Sequence, residues 1–156
     1  MGIRNNTHSV LMGYLLWIFG FTGSHRFYYG KQITGIIWLC TFGLAGIGWL
    51  VDLFLIPGMD READAKYVEG PYSYNVAWLL LTFLGLFGAH RFYQGKVASG
   101  MLFLVVSLIT FSSGFFLLWL ATIPLGVLVA IMWAWDFLNL NGQLKELNLR
   151  AITGRA

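Results

Sequence analysis

Charge is scarce in this sequence. Asp, Glu, Lys and Arg make up 11% of its 156 residues, against about 25% in a soluble globular chain. So few charges cannot cover a soluble globule of this size. There is one cysteine, Cys40, which excludes an intrachain disulfide and a cysteine metal cluster and leaves the redox compartment unread. No basic stripe with interleaved aromatics is present. The ten Lys and Arg stand in short clusters between apolar blocks, so the net charge of +3 argues for orientation in a membrane rather than for nucleic acid as a partner. No Ala-x-Ala-like cleavage site follows the apolar stretch Val10 to Phe21, so that stretch is expected to remain as structure. Gly-x-Ser-x-Gly, His-Glu-x-x-His and a phosphate loop are all missing. No catalytic residue, metal ligand or cofactor is therefore assigned, and a non-enzymatic protein is expected.

What is present is apolar residue in long runs, 58% of the chain. The runs show no apolar/polar alternation and are too long for barrel strands, so the expected class is all-α and polytopic. Five crossings are expected, at 9–22, 33–56, 74–89, 97–111 and 115–138. Pro57-Gly58 is expected to end the second run and open an exposed polar linker, 57–73. Ser112-Ser113-Gly114 is expected to be a turn. The polar tail 139–156, with leucines at 140, 144, 147 and 149, reads as a short helix on the membrane surface. With the N-terminus outside and the C-terminus cytoplasmic, seven Lys and Arg fall inside and three outside, the arrangement the positive-inside rule favours. It places both His-Arg-Phe-Tyr loops in the cytoplasm and the linker on the opposite face of the cell membrane.

The chain repeats itself. Residues 20–35, GFTGSHRFYYGKQITG, and 85–100, GLFGAHRFYQGKVASG, are identical at nine of sixteen positions without a gap. The matched residues are Gly20, Gly23, His25, Arg26, Phe27, Tyr28, Gly30, Lys31 and Gly35 in the first copy. In the second they are Gly85, Gly88, His90, Arg91, Phe92, Tyr93, Gly95, Lys96 and Gly100. Further on, Trp49-Leu-Val-Asp52 answers Trp133-Ala-Trp-Asp136. That match leaves about 19 extra residues in the second copy, close to one more crossing.

This Gly-x-x-Gly-x-His-Arg-Phe-Tyr-x-Gly-Lys pattern, with an apolar run and Trp-x-x-Asp after it, resembles the two-transmembrane (TM-two) domain family. The two copies cover about residues 8–56 and 74–138. The resemblance implies a helical hairpin whose short polar turn carries the motif. Some members carry Asp-Arg-Phe where this chain has His25-Arg26-Phe27 and His90-Arg91-Phe92. The resemblance implies architecture more than activity, and the enlarged second copy departs from a plain hairpin.

The candidate residues each have a physical reading. Gly20, Gly23 and Gly30 bracket a tight reversal where left-handed backbone is expected. Gly35, Gly43, Gly46 and Gly48 permit close helix approach. His25 and His90 each adjoin an arginine and lack a second ligand at helical spacing, so they read as turn histidines capping helix ends rather than metal ligands. Arg26 and Arg91 are expected to bind helix C-terminal carbonyls and lipid phosphate. Asp52 and Asp136 are the unusual ones, because an ionisable group in an apolar run needs a partner. With five spans, Asp136 pairs with Arg91 or Arg26, while Asp52 is carried to the opposite face. If Gly43 to Gly48 instead breaks the 33–56 run into a re-entrant hairpin, Asp52 returns to the arginine side. Two functions are carried forward. One is a scaffold or interaction component that packs with itself, with a membrane protein partner and with membrane lipid. The other is a small channel or transporter with Asp52 and Asp136 near its path.

Overall fold

The computed structural model describes residues 6–18, 23–115 and 119–154. The described residues are helical and contain no strand. In chain order the helices are α1 (Val10–Ile18), α2 (Ser24–Tyr28), α3 (Gln32–Ala45), α4 (Ile47–Lys66), α5 (Tyr74–Leu84), α6 (Ala89–Tyr93), α7 (Val97–Phe115) and α8 (Trp119–Thr153), with a 3-10 turn at Gly85–Phe87 between α5 and α6. Among the described residues, one helix, Thr122–Thr153 of α8, is long and apolar enough to cross a membrane. Gln32–Ala45, Tyr74–Phe87 and Val97–Ser113 are shorter apolar helices. Five long apolar helices, one for each expected crossing, are not found among the described residues. The chain divides into two compact units, one made of Met1–Asn75 with Asn141–Ala156, the other of Val76–Leu140.

Unit 1 is two helical hairpins that share one end. The short helix α2 runs back beside α1: Ser24 Oγ donates to the Leu16 carbonyl at 2.9 Å, and Tyr29 Oη to the Ser9 carbonyl at 3.2 Å. Next, α3 leaves and α4 returns. The reversal is a left-handed run, with φ of 50° at Phe42, 66° at Gly43, 54° at Leu44, 55° at Ala45 and 84° at Gly46. So the 33–56 run is not one span but breaks inside its glycine-rich stretch. The returning α4 packs antiparallel to α1, where the Trp17 and Trp49 rings stack 4.3 Å apart.

Pro57 does not end α4, which continues to Lys66. A helical proline lacks the N–H that would satisfy the carbonyl four residues back. That carbonyl belongs to Leu53, and it accepts the Tyr14 hydroxyl at 3.2 Å. The expected exposed linker thus shrinks to the residues after Lys66. Asp60 and Asp64 are buried, not solvated. Asp64 Oδ1 accepts the backbone N–H of Thr7 at 2.9 Å and of His8 at 3.1 Å, tying the start of the described chain to the end of α4.

The tail also departs from the surface-helix reading. It prolongs α8 and belongs to unit 1. There Asn148 is buried, accepts the Tyr72 N–H at 2.9 Å and donates to the Tyr72 carbonyl at 3.0 Å. The Asn141 amide donates to the carbonyls of Phe27 and Tyr28 at 3.2 and 2.6 Å.

These contacts bring together, within unit 1, segments expected on opposite faces. Lys31 pairs with Glu62 at 2.6 Å and Lys66 Nζ donates to the Gly30 carbonyl at 3.3 Å. The loop after the first motif, the end of α4, the Thr7–His8 segment and the α8 tail therefore lie at one end, not on opposite faces. The physical reason is the extra reversal at Phe42–Gly46, which converts an odd passage into a return.

In unit 2 the second motif is again a short helix, α6, followed by a longer one, α7. The 3-10 turn reverses α5 into α6. Ser107 Oγ bonds the Leu86 carbonyl, which lays α7 along the turn. Ser112 and Ser113 form no break, because their hydroxyls donate to the carbonyls of Ile109 and Thr110 at 3.0 Å each, which lets α7 continue to Phe115. The extra residues of the second copy fall in the two helices after α6, of which α7 has 19 residues and α8 has 35.

Candidate functional site

The motif owes its spacing to a helix of five residues. Gly23 opens α2 in the left-handed conformation, φ 84°, and its carbonyl accepts the N–H of Arg26 at 2.9 Å. At the other end Gly30 N–H returns to the Phe27 carbonyl at 2.9 Å and Lys31 N–H to Arg26 at 2.8 Å. That is a Schellman closure with a left-handed glycine, φ 71° at Gly30. The second copy is built alike: Gly88 has φ 73°, Gly95 N–H reaches Phe92 at 3.0 Å and Lys96 N–H reaches Arg91 at 2.9 Å. The two glycines thus fix where the helix starts and stops, and His-Arg-Phe-Tyr is the helix between them. Gly35 and Gly100 have a different task. A Cβ on Gly35 would meet the Phe27 ring at 2.9 Å, and one on Gly100 the Phe92 ring at 3.0 Å. They let the motif helix lie flat against α3 and α7. Gly85 lies in the 3-10 turn, where a Cβ would meet Trp133. Gly20 lies outside the described residues.

That packing aims two neighbouring side chains at one carboxylate. His25 Nε2 lies 2.7 Å from Asp52 Oδ2, which also accepts Arg26 Nε at 2.7 Å, while Arg26 Nη2 bonds Oδ1. His25 and Asp52 are fully buried and Arg26 is 6% exposed. In unit 2, His90 Nε2 and Arg91 Nε both lie 2.6 Å from Asp136 Oδ2, and Arg91 Nη2 lies 3.0 Å from Oδ1. The arginine approaches side-on, using both fork positions, the strong form of a charge-assisted pair. With a carboxylate as acceptor, each histidine donates through Nε2. Its Nδ1 is buried without a hydrogen-bond partner among the described residues.

Several readings change here. The histidines do not cap helix ends; they bond the aspartates. The Nε and Nη2 of each arginine are taken by Asp52 and Asp136 rather than by helix carbonyls. Asp52 is not carried away from Arg26 but is its partner, the outcome of the re-entrant break. Asp136 takes Arg91. Phe27, Tyr28, Phe92 and Tyr93 follow the same helix. Tyr28 is buried, its Oη accepting the Ser9 N–H at 2.7 Å and donating to Asn75.

Sequence reasoning overlooked the ring over each arginine. Arg26 Cζ sits 3.6 Å from the Trp38 ring centre and Arg91 Cζ 5.3 Å from that of Phe103. Both aromatics stand twelve residues after their arginine, so extending the repeat three positions beyond Gly35 and Gly100 finds them.

Chemically each cluster is closed. A cation and an anion cancel, three donors saturate the carboxylate, and the described residues bring together no group of three or more His, Cys, Asp or Glu able to hold a metal.

The family model described as TM2 domain matches residues 6–54 and 70–135. The chain belongs to the TM2 domain family. Three TM2 domain-containing proteins of Dictyostelium discoideum are similar to it. One is 48% identical over 60 residues, 38% of this chain and 39% of the relative. Another is 52% identical over 55 residues, 35% of this chain and 40% of the relative. The third is 43% identical over 57 residues, 34% and 35%. The chain thus spans about two fifths or less of these relatives' length. No solved structure matches. Family and apolar helix together mark a membrane protein, and neither the family nor the relatives' names indicate an enzyme.

Proposed function

We propose that this TM2 domain protein is a non-enzymatic, multi-pass component of the cell membrane that works by packing with itself or with another membrane protein. The observation that carries this reading is the saturation of both buried carboxylates. A solute path needs a polar group that can exchange partners, and Asp52 and Asp136 already hold a histidine and a two-pronged arginine each. Such a cluster serves as a lock that fixes the motif helix to the returning helix.

Charge supports an orientation. In unit 1, Lys31, Arg61, Lys66 and Lys145 stand at the end where the connections meet, while the Gly46 end carries no charge. By the positive-inside rule the charged end faces the cytoplasm.

The test is a pair of measurements on the reconstituted full chain: size of the protein particle in detergent and in-membrane cross-linking on one side, and ion flux into liposomes on the other. Self-association or a reproducible membrane-protein cross-link without flux supports the reading. Flux that disappears in an Asp52→Asn variant while the fold persists overturns it in favour of a channel.

A further inference from the structure

At its charged end unit 1 has an open cleft of about 360 Å³, among Gly30, Lys31, Gln32, Ile33, Thr34 and Lys66. Sites for small ligands begin at about 300 Å³. The described residues that line it include two cations and no carboxylate. The fold makes the cleft from two distant pieces of chain. Gly30 closes the motif helix in the left-handed conformation, φ 71°, and Lys31 follows at once at the head of α3. Lys66 ends α4, and the α3–α4 reversal returns it to that loop, where its Nζ donates to the Gly30 carbonyl at 3.3 Å. Neither lysine is used up. An ammonium group carries three donors, and Lys66 spends one of them on Gly30. Lys31 spends one on Glu62 at 2.6 Å, but that carboxylate side chain is 69% exposed, and so exposed an ion pair is weak. Behind them Lys145 Nζ donates to the Lys66 carbonyl at 2.9 Å. The first turn of α3 holds no acidic residue and no side chain caps it, so the positive end of the helix adds to the two cations instead of offsetting them.

We propose that this cleft holds the phosphate of an anionic phospholipid headgroup. This rests on the membrane reading above and goes beyond it by naming a lipid class and the place that binds it. A soluble phosphate offers the same oxygens to the same two lysines. What favours the lipid is the apolar side of the cleft. Ile33, part of its lining, is 78% exposed, and Ile36 and Ile37 farther along α3 are each 44% exposed. The cleft thus has ammonium groups at one side and an exposed aliphatic helix leading away from the other. A phosphate joined to acyl chains matches both, and free phosphate matches only the first. Lysine suits such a boundary, because its aliphatic stem lies along apolar surface while its charge stays at headgroup level. Phosphatidylcholine brings a cation of its own to the site, so the preference is for a headgroup of net negative charge.

The test is lipid selectivity of the full chain reconstituted in phosphatidylcholine vesicles. Electron paramagnetic resonance reads the fraction of spin-labelled phosphatidylglycerol, and of spin-labelled phosphatidylcholine, that the protein immobilises. The parent chain is expected to prefer phosphatidylglycerol. Lys31→Gln and Lys66→Gln are each expected to reduce that preference about fivefold, the scale of one cation at an anionic membrane surface. Lys31→Arg and Lys66→Arg keep the charge and are expected to keep the preference, which separates loss of the site from loss of the fold. Arg150→Gln removes an exposed cation of unit 1 that pairs with Glu146 outside the cleft, and is expected to leave the preference as it was. No preference in the parent chain, an equal loss in Arg150→Gln, or a loss in the Lys→Arg variants as large as in Lys→Gln overturns the site. Displacement of phosphatidylglycerol by inorganic phosphate, beyond that by sodium chloride of the same ionic strength, gives the cleft to a soluble phosphate and overturns the lipid. Those outcomes leave the membrane reading intact. Extraction of the chain by alkaline carbonate overturns both.

Discussion

Arg26 meets Asp52 side-on, its Nε 2.7 Å from Oδ2 and its Nη2 on Oδ1, in a place where Asp52 has no exposed surface. Removing either partner leaves the other charge uncompensated in a low-dielectric setting, which typically costs about 3–5 kcal/mol. Asp52→Ala is therefore expected to lower thermal stability in detergent sharply. The combination Arg26→Met with Asp52→Leu is expected to recover most of the loss, because no charge is then stranded. Equal damage from the double and single variants would refute the pairing as the source of the effect.

The two arginines are expected to differ in their tolerance of lysine. Arg26 lies over Trp38 at 3.6 Å, and Arg91 over Phe103 at 5.3 Å. Lysine keeps the charge and loses both the fork and the planar stack. Arg26→Lys should cost more than Arg91→Lys, by about 1 kcal/mol, the scale of a cation–π contact. Chemical denaturation of the two variants side by side measures the difference, and a larger loss at Arg91 contradicts the stacking role.

Stability is expected to fall on acidification through His8. Its ring is walled by Tyr28, Tyr67 and Tyr74, with centroids 4.7, 5.1 and 4.8 Å away. Burial pushes the imidazole down to about 4, with Asp64 opposing the shift. The folded value lies below the unfolded one, so the unfolded chain binds the extra proton. The contribution is complete above about pH 6.5, declines as pH drops towards 4 and is flat below that. The full loss is on the order of 3 kcal/mol. Melting temperatures between pH 7.5 and 4.5 should show this slope in the parent chain and a shallower one in His8→Asn; identical slopes argue against His8.

Two glycine substitutions separate backbone strain from crowding. Gly95 has φ 73° and open space around a would-be Cβ, so Gly95→Ala is expected to cost about 1–2 kcal/mol through the left-handed conformation alone. Gly35 is helical and faces the Phe27 ring at 2.9 Å. Gly35→Ala should be rescued in part by Phe27→Leu, whereas no neighbouring truncation should rescue Gly95→Ala. Thermal unfolding of the four variants distinguishes the two causes.

The positions of the flanking glycines, the doubled His-Arg-Phe-Tyr motif and the oddity of Asp52 and Asp136 follow from the sequence alone, whereas the motif's being a short helix rather than a loop does not. Left-handed caps need glycine and a carboxyl group in an apolar run needs a partner, so residue type and spacing carry that information locally. Which partner each aspartate takes was decided only in three dimensions. The run from Ile33 to Ile56 is apolar throughout its length until Asp52, and its hydropathy is the same whether it runs straight or folds at Gly43–Gly46. The choice is made by what the fold gains: a return at Gly46 brings Asp52 to His25 and Arg26 and Trp49 to Trp17, contacts a straight span forfeits. The same holds for Asp64, Asn141 and Asn148. In sequence they read as solvated polar residues, because nothing local shows that backbone N–H and carbonyl groups left open at distant helix ends would come to meet them.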